Sequence, residues 1–455
     1  MSRIAGWLIA MVLSVACSAA HAQVDAERVR IHGSQTMAAR LVPAVAESWL
    51  RDIGYQDIRR EQTSATLTQI HAQRDGMPLI VEIQASSSAQ GFQDVVDGNA
   101  QIAMMTRRPN AAELDAGWQL GDLASHDQEF AMALDGAAVV VHRDNPLAQL
   151  SFAQLRRVLS GQVRDWREFG GRGAVHLHEV AGANSARDLI DERVMQGSHY
   201  APAQLHTDGQ SLVEAIAKDP GGIGFVTLRQ PWGANVRPLA LSEGGRAVAP
   251  TRLSVQSEDY PLSRRFYLYG SQMMGALSRS FALYTMGRRG QDAVAQAGHF
   301  AMTLRPGYAP PTLVGPRDYR DLVGNATRLP LSLRFNLTGN NESGVAASVY
   351  DSRAVRDIDR IVAFMQLPVN RGRRLLVVGF ADTAGSSVAA TMMSNDRADL
   401  VAHELMARGL PVLHARGVGA QCSSRTAAVR SARARRRSAS TAPRTSTPRG
   451  SSARR

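Results

Sequence analysis

Three short loops of the chain combine hydroxyl-bearing or amide-bearing residues with the start of an amphipathic helix. The first follows Gly33, the second is Ser86–Ser88, and the third begins near Asn184. Unpaired backbone N–H groups at the start of a helix lie at the positive end of its dipole and can bind an oxyanion. Arg107 follows the apolar run at 101–105, and Arg187 follows the third loop. The guanidinium group of each could add bidentate hydrogen bonds to the anion. Each loop alone is equally an ordinary helix N-cap, but together they predict a metal-free site for a small tetrahedral anion.

Short apolar runs that predict buried strands come before these loops. One such run ends at Gly33, and two others are Val81–Ile83 and 101–105. Each is followed by a loop or a helix. The clearest pattern lies between the second and third loops. There Ala137–Val141 predicts a strand that is buried on both faces, and Ser151 begins a helix through an S-x-x-Q capping box. This order of strand, loop and helix predicts an α/β fold.

The central stretch resembles the middle of the periplasmic phosphate-binding (PstS-like) proteins. It shares with them ALDG at 133–136, H-x-D-N-P at 142–146 and S-G-x-x-x-x-W at 160–166. The motif D-P-G-G-I-G-F at 219–225 resembles the return strand of that family's second lobe. The resemblance implies a type II solute-binding fold, in which crossing strands join two α/β lobes and the ligand binds in the cleft between them.

The resemblance also makes phosphate the first candidate ligand and assigns the residues that contact it. These residues are Ser34, Thr36, Ser87, Ser88, Arg107, Asn184, Ser185 and Arg187. Two departures leave another oxyanion, or a site that no longer binds, as alternatives. The third loop has Asn184-Ser185-Ala186 where the family has Ser-Gly-Thr, and 104–108 contains no Asp to accept the proton of hydrogen phosphate. An ABC transporter complex in the membrane is the partner that the family implies.

Residues 329–421 resemble a second family, the OmpA-like peptidoglycan-binding domains. The fingerprint of that family is a G-[HFY]-x-D-x-x-G loop, here 379–385, and an L-S-x-x-R-A helix, matched at 393–398. The resemblance implies that Asp382 and Arg397 grip the zwitterionic end of diaminopimelate in the peptidoglycan stem peptide. A carboxylate suits the ammonium group and a guanidinium suits the carboxylate. Either residue alone would be a turn residue or a solvated helix charge.

We expect this second domain to be incomplete, because the family's closing segment has no counterpart after 417–420. Ten Arg and almost no large apolar residues occur in 422–455, which predicts a disordered basic tail. Such a tail is typical of a shifted reading frame in GC-rich coding sequence, and a basic arm for nucleic acid or anionic lipid is the alternative. The rest of the chain has 42 of the 52 Lys and Arg residues against 40 Asp and Glu. That balance gives no argument for nucleic-acid binding.

Residues 1–22 predict a secretory signal peptide. Arg3 precedes an apolar run over 4–15, and Ala20-His21-Ala22 fits a cleavage site. The run is shorter than the ~20 residues that a membrane span needs. Cys17 raises the alternative of a lipoprotein processing site. The mature protein is expected in the periplasm, associated with the cell wall or the outer membrane. Only Cys17 and Cys422 are present, so no disulfide is expected within it.

The predicted layout places a two-lobed solute-binding domain at 23–315, a Pro- and Gly-rich linker at 316–328 and the OmpA-like domain at 329–421. No nucleophile elbow, P-loop or complete metal-ligand motif occurs, so we expect no enzymatic activity, cofactor or metal. His176 and His178 are expected to be structural. The leading hypothesis is a secreted protein that captures phosphate or a similar anion and attaches to peptidoglycan. The alternatives are a wall-associated interaction protein with a lapsed anion site and a hydrolase built on the same cleft.

Overall fold

The computed structural model describes residues 26–123, 125, 127–182, 184–304, 317–324, 326–337, 348–350, 352–381 and 386–420. Several sequence predictions lie outside these residues. They are the signal peptide at 1–22, the loop residue Asp382 and the basic tail at 422–455. No helix of the described ranges has the length and apolar character needed to cross a bilayer.

The described residues form alternating strands and helices, as the sequence predicts. The strands are β1 (Glu27–Ser34), β2 (Gln56–Gln62), β3 (Leu67–Arg74), β4 (Met77–Ser86), β5 (Ile102–Met105), β6 (Glu129–His142), β7 (Gln149–Ser151), β8 (His176–Val180), β9 (Gln204–His206), β10 (Gly222–Thr227), β11 (Val236–Pro238), β12 (Ala240–Ser242), β13 (Ser263–Gly270), β14 (Phe335–Leu337), β15 (Ser348–Tyr350), β16 (Leu375–Gly379) and β17 (Val412–Gly417). The helices are α1 (Gln35–Ala39), α2 (Leu41–Asp52), α3 (Ser88–Val96), α4 (Ala111–Ala116), α5 (Phe152–Leu159), α6 (Ser185–Ile190), α7 (Gly209–Ile216), α8 (Arg252–Gln256), α9 (Ala276–Met286), α10 (Arg288–Gln296), α11 (Arg317–Val323), α12 (Ser352–Met365) and α13 (Ser387–Ala407).

Strand β6 joins two lobes. Its first half pairs antiparallel with β13, and residues 137–141 pair antiparallel with β10. The strands bond in the order β2-β3-β4-β1-β5-β13-β6-β10-β8-β9, so everything before β6 in this order is one lobe and everything after it is the other. The predicted strand at Ala137–Val141 is therefore confirmed. The strand is longer than predicted, because Glu129–Gly136 also pairs with β13. This first half is buried although it contains charged residues.

Each lobe has its own apolar core. In the first lobe Ile31, Leu41 and Trp49 are fully buried, and in the second lobe Trp166 is fully buried and Phe225 nearly so. The S-x-x-Q box is present at the start of α5. Ser151 Oγ accepts a hydrogen bond from the Gln154 amide at 3.2 Å, and Gln154 Oε1 accepts one from the Ser151 amide at 2.8 Å. Local capping rules thus fix where this helix begins.

The apolar pattern over 277–297 predicts one helix, but the structure has two, α9 and α10. The backbone at Gly287 is extended, with φ −71° and ψ 164°, and this ends α9. The side chain of Gln291 then donates hydrogen bonds to the carbonyl oxygens of Thr285 at 2.6 Å and Met132 at 2.7 Å. A buried polar side chain therefore stabilises the break, which apolar periodicity alone does not reveal.

The C-terminal residues form a separate small α/β unit. Strands β16 and β17 are parallel and are connected through α13, which makes a β-α-β unit, while β14 and β15 pair antiparallel. Its core includes Phe335, Ile358 and Leu405, and Leu304 at the end of the two-lobed body joins the same cluster. Helix α11 lies within the predicted linker at 316–328.

Candidate functional site

Three loops of the first lobe, those that follow β1, β4 and β5, meet at one edge of its sheet. Strands β4, β1 and β5 are parallel neighbours, with Ser34 opposite Ser86 and Gly33 opposite Met104. Because the carboxyl ends of parallel strands meet at the same edge, the loops that follow these strands lie side by side. The predicted residues Ser34, Thr36, Ser87, Ser88 and Arg107 are therefore brought to the same edge of the sheet.

Two glycines allow the first two loops to approach closely. A Cβ atom on Gly33, whose φ is +131°, would lie 2.3 Å from the carbonyl oxygen of Met104. A Cβ atom on Gly91, in the first turn of α3, would lie 2.3 Å from the Cα atom of Gly33. Both contacts are with backbone atoms, so neither the space between Gly33 and β5 nor the space between α3 and β1 leaves room for a side chain.

The hydroxyl groups at this edge are placed by local capping. Ser34 Oγ accepts a hydrogen bond from the Met37 amide at 3.4 Å, and Ser87 Oγ accepts one from the Gln90 amide at 3.0 Å. Ser88 Oγ accepts one from the Thr106 amide at 3.1 Å. Capping uses an oxygen lone pair and leaves the O–H protons of Ser34 and Ser87 to be donated. Ser88 Oγ also lies 3.4 Å from Thr106 Oγ1, and either hydroxyl can donate to the other. Thr106 was not among the predicted contacts, although its position directly after an apolar strand is the signal that marks it.

Arg107 is held by a carboxylate of the same lobe. Its Nη1 and Nη2 atoms each donate to Glu113 at 2.7 Å, and Glu113 also accepts a hydrogen bond from the Asn110 amide at the start of α4. The hydrogen bond from Arg107 holds the pKa of Glu113 below its ordinary value, although burial opposes this. The hydrogen bond to Glu113 raises the pKa of Arg107, burial opposes this rise, and Glu192 of the second lobe adds a smaller contribution in the same direction as Glu113. Arg107 is thus oriented by Glu113.

The third loop lies in the second lobe, directly before α6. Asn184 Oδ1 accepts a hydrogen bond from the Arg187 amide at 2.9 Å and so caps α6. Ser185 is buried, and its Oγ atom donates to Asp135 Oδ2 at 2.6 Å and accepts a hydrogen bond from Arg264 at 2.7 Å. The hydroxyl proton of Ser185 is therefore committed to Asp135. Sequence reasoning missed this contact, because 50 residues separate the two partners.

Arg187 is surrounded by groups of its own lobe. Its Nη1 atom donates to Glu179 at 2.7 Å, its Nε atom donates to Asp191 at 3.2 Å, and its guanidinium lies 3.7 Å from the ring centre of Tyr200. Burial raises the pKa of Glu179, and Arg187 opposes that rise. An incoming anion must therefore bind an arginine that already has two carboxylate neighbours. The role of Arg187 as a ligand stays a prediction.

The junction between the lobes contains further buried polar groups. Asp135 on β6 is fully buried, and Oδ1 accepts no hydrogen bond from the described residues. His299, after α10, is 5 % exposed, and neither ring nitrogen has a hydrogen-bond partner there. Its neighbour Phe300 pairs with Leu134 of β6 through amide hydrogen bonds of 2.9 and 3.2 Å. Leu134 and Asp135 belong to the ALDG motif, whereas no motif in the sequence marked His299.

His176 and His178 share one carboxylate in the second lobe. His176 Nδ1 lies 2.8 Å and His178 Nε2 lies 3.0 Å from Asp219 Oδ2, and His178 Nδ1 lies 3.0 Å from His206 Nε2. Burial lowers the pKa of His206, and the neighbouring His178 adds to this effect. Within the described ranges, no three His, Cys, Asp or Glu side chains are placed to hold a metal ion. The cluster ties β8, β9 and the start of β10 together.

The predicted peptidoglycan residues are described only in part. Asp382 lies outside the described residues. Arg397 on α13 is 3 % exposed, and its Nη1 atom donates to the carbonyl oxygen of Phe380 at 2.9 Å. The guanidinium of Arg397 thus contacts the backbone of Phe380, the second residue of the motif at 379–385.

Comparison with known proteins identifies relatives of the two-lobed body. The family model of the PBP superfamily domain matches residues 60–288, just over half of the chain. The phosphate-binding protein PstS of Pseudomonas aeruginosa is 24 % identical over 245 residues, which cover 50 % of this chain and 75 % of that protein. The protein of the same name from Staphylococcus aureus is 24 % identical over 227 residues, covering 48 % and 68 %.

Solved structures are similar over the same region. An ABC-type phosphate transport receptor from Vibrio cholerae has a TM-score of 0.48 and 19 % identity, and the match covers 60 % of this chain and 99 % of that one. PstS from Borrelia burgdorferi has a TM-score of 0.46 and 16 % identity, with 60 % and 98 % covered.

Proposed function

This chain belongs to the PBP superfamily, and we propose that its two-lobed body captures phosphate or a similar small oxyanion in the cleft between the lobes. The relatives named as phosphate-binding proteins support the choice of phosphate. The meeting of three hydroxyl-bearing loops at one edge of the first lobe carries the proposal. The backbone N–H groups and the hydroxyl protons there can donate to an anion that the second lobe covers on closing.

The arginines of the site suit an anion that is held mainly by hydrogen bonds. Arg107 is paired with Glu113, and Arg187 is paired with Glu179 and Asp191. The local charge is therefore nearly balanced, and long-range attraction contributes little. We expect the affinity for phosphate to change by less than about threefold between low and physiological salt, since screening acts chiefly on exposed, uncompensated charges.

Isothermal titration of the full chain with phosphate, and with sulfate and arsenate beside it, tests this proposal. Thr36→Val removes one hydroxyl at nearly constant volume, and Thr63→Val makes the same change on the exposed loop after β2. A hydrogen bond to a charged group contributes about 1.5–3 kcal/mol, so we expect Thr36→Val to weaken phosphate binding roughly 10- to 100-fold. Thr63→Val should bind like the wild type. No heat of binding with any of the three anions would refute the proposal.

We further propose that the protein is secreted to the periplasm, presents its loaded form to an ABC transporter and attaches to peptidoglycan through an OmpA-like domain at 329–421. The β-α-β unit and the hydrogen bond from Arg397 to the carbonyl oxygen of Phe380, within the motif at 379–385, support the last point. Co-sedimentation with purified peptidoglycan tests it. The Asp382→Asn variant should lose at least half of the bound protein, whereas Asp359→Asn, on another helix of the unit, should not.

One observation favours the alternative of an interaction protein with a lapsed anion site. Ser185 and Arg187, the two side chains most expected to bind the anion in the second lobe, are already engaged by Asp135, Glu179 and Asp191. Peptidoglycan binding without anion binding would favour this alternative. Anion binding that Asn184→Ala weakens would refute it.

A further inference from the structure

Helix α12 carries a carboxylate on its buried side. Asp357, Ile361 and Phe364 follow one another at spacings of four and three residues, so they share one side of the helix. Ile361 and Phe364 belong to the C-terminal core, and Asp357 is only 2 % exposed. A carboxylate in this position needs a cation, because an uncompensated buried charge is strongly unfavourable.

Two arginines pair with Asp357, and one of them comes from the two-lobed body. Arg265 on β13 donates from Nη2 to Asp357 Oδ2 at 2.8 Å, and both side chains are more than nine-tenths buried. On α12 itself, Arg360 donates to the other oxygen of Asp357 at 2.7 Å. Arg265 and Asp357 are 92 positions apart in the sequence, so this is a long-range contact between the two parts of the chain. We call the pair Arg265–Asp357 the latch.

Glu258 completes the charge cluster around the latch. It accepts a hydrogen bond from Arg265 Nε at 2.6 Å, and its backbone carbonyl accepts one from Arg334 at 2.7 Å. Burial would raise the pKa of Glu258, but Arg265, Arg353 and Arg334 lower it to about 2. Its φ of +58° lies in the left-handed region, which costs free energy for a residue with a side chain. The surrounding ion pairs hold this strained residue in place.

Strand β13 connects the latch with the proposed anion site. Arg264, the neighbour of Arg265, lies opposite Asp135 in the antiparallel pairing with β6. Arg264 donates to the carbonyl oxygen of Ser185 at 3.0 Å and to Ser185 Oγ at 2.7 Å. Adjacent residues of a strand point to opposite sides. On one side of β13, Arg264 therefore binds the loop at Asn184–Arg187, and on the other side Arg265 binds α12.

We propose that the latch makes the C-terminal unit a positioning element for the anion site, with Arg265 and Asp357 as positioning residues for the loop at Asn184–Arg187. This inference rests on the proposed function for its effect on affinity, but not for its effect on the loop. Docking of α12 fixes the place of β13, and β13 fixes Ser185 through Arg264. Loss of the latch should therefore loosen a loop that is bound by the other side of β13.

Amide hydrogen exchange of the full chain tests the latch directly. Asp357→Asn removes the charge at constant shape, and Asp359→Asn makes the same change on the same helix at a half-exposed site that pairs with Arg408. We expect Asp357→Asn to speed exchange at least about tenfold in α12, in β13 and at Ser185–Arg187, while α2 keeps the wild-type rate. Asp359→Asn should exchange like the wild type. Unchanged rates at Ser185–Arg187 in Asp357→Asn would overturn the inference, and so would faster exchange spread evenly over both lobes.

Phosphate titration of the same variants gives the second measurement. If the wild type binds phosphate, Asp357→Asn should weaken binding roughly tenfold, Asp357→Glu should recover most of the loss, and Asp359→Asn should not change it. If the wild type binds no phosphate, the proposed function fails, and the exchange pattern alone decides the latch. Should Asp357→Asn not fold, Arg265→Lys keeps the charge but cannot reach Asp357 and Glu258 together. It should then show the same local pattern, and wild-type exchange in that variant would overturn the inference.

Discussion

His299 lies beside the strand that joins the two lobes, and its burial should make folding sensitive to mild acid. Burial lowers the pKa of His299 from 6.5 to about 4, Asp135 opposes the shift, and Arg229, Arg40 and Arg264 reinforce it. Asp135 lies on β6, Arg229 follows β10, Arg40 precedes α2, and Arg264 lies on β13. The folded protein therefore holds His299 neutral at a pH where the unfolded chain would bind a proton.

The sign and the size of the effect follow from proton linkage. Above pH 6.5 the imidazole is neutral in both states and makes no contribution. As the pH falls below that value, only the unfolded chain takes up the proton, so folding loses about 1.4 kcal/mol per pH unit until the folded pKa is reached. A pKa that falls from 6.5 to about 4 corresponds to a total loss of about 3 kcal/mol.

Urea unfolding between pH 7.5 and 4, followed by tryptophan fluorescence, measures this loss. Trp49 and Trp166 are fully buried and report on the first and the second lobe. The free energy of unfolding of the wild type, minus that of His299→Asn, should fall by about 3 kcal/mol over this range. His199→Asn, at an exposed histidine, should follow the wild type. A difference that stays constant with pH would refute the reasoning, because His299 would then accept its proton in the folded state.

Two further perturbations test the packing of the lobes. Gly91→Ala would place a Cβ atom 2.3 Å from the Cα atom of Gly33, where contacts below 3.0 Å essentially never occur. We expect a net loss of about 1–2 kcal/mol in urea unfolding after the gain in helix propensity, whereas Gly275→Ala, which has open space, should change little. Burial would raise the pKa of Asp219, but the hydrogen bonds from His178 and its neighbours lower it below 3.8. The stability that Asp219 contributes should therefore be lost as the pH falls below about 4. Asp219→Asn should not show this part of the loss. If the free energies of unfolding of the wild type and of Asp219→Asn fell in parallel with pH, this prediction would be wrong.

Local patterns gave the elements that local forces determine. The capping box at Ser151 and the apolar run Ala137–Val141 were both recognisable, because their signals lie within a few residues of each other. The true extent of β6 was not recognisable. Its first half contains Glu129 and Asp135, whose burial depends on partners far away in the chain. A charged residue in a candidate strand reads as solvent-exposed unless its partner is known.

The same limit applies to the candidate site. The loops after Gly33, at Ser86–Ser88 and at Asn184 could be predicted, since each has its own small residues and its own helix start. The partners of their side chains could not. Ser185 meets Asp135 50 residues away, and the latch joins Arg265 to Asp357 over 92 residues. Such pairs are set by the three-dimensional fold, and a single sequence carries no spacing rule for them.

An arginine that is already paired with a carboxylate can still bind an anion. A guanidinium has five N–H donors in a fixed plane, whereas an ammonium group has three around one point. Arg187 uses Nε and Nη1 for its carboxylates and keeps Nη2, and Arg107 uses Nη1 and Nη2 and keeps Nε, among the contacts of the described residues. Glu113 and Glu179 thus act as supports that fix the direction of the remaining donors. The carboxylates around the site are therefore compatible with phosphate binding, and they favour recognition through directed hydrogen bonds over recognition through net charge.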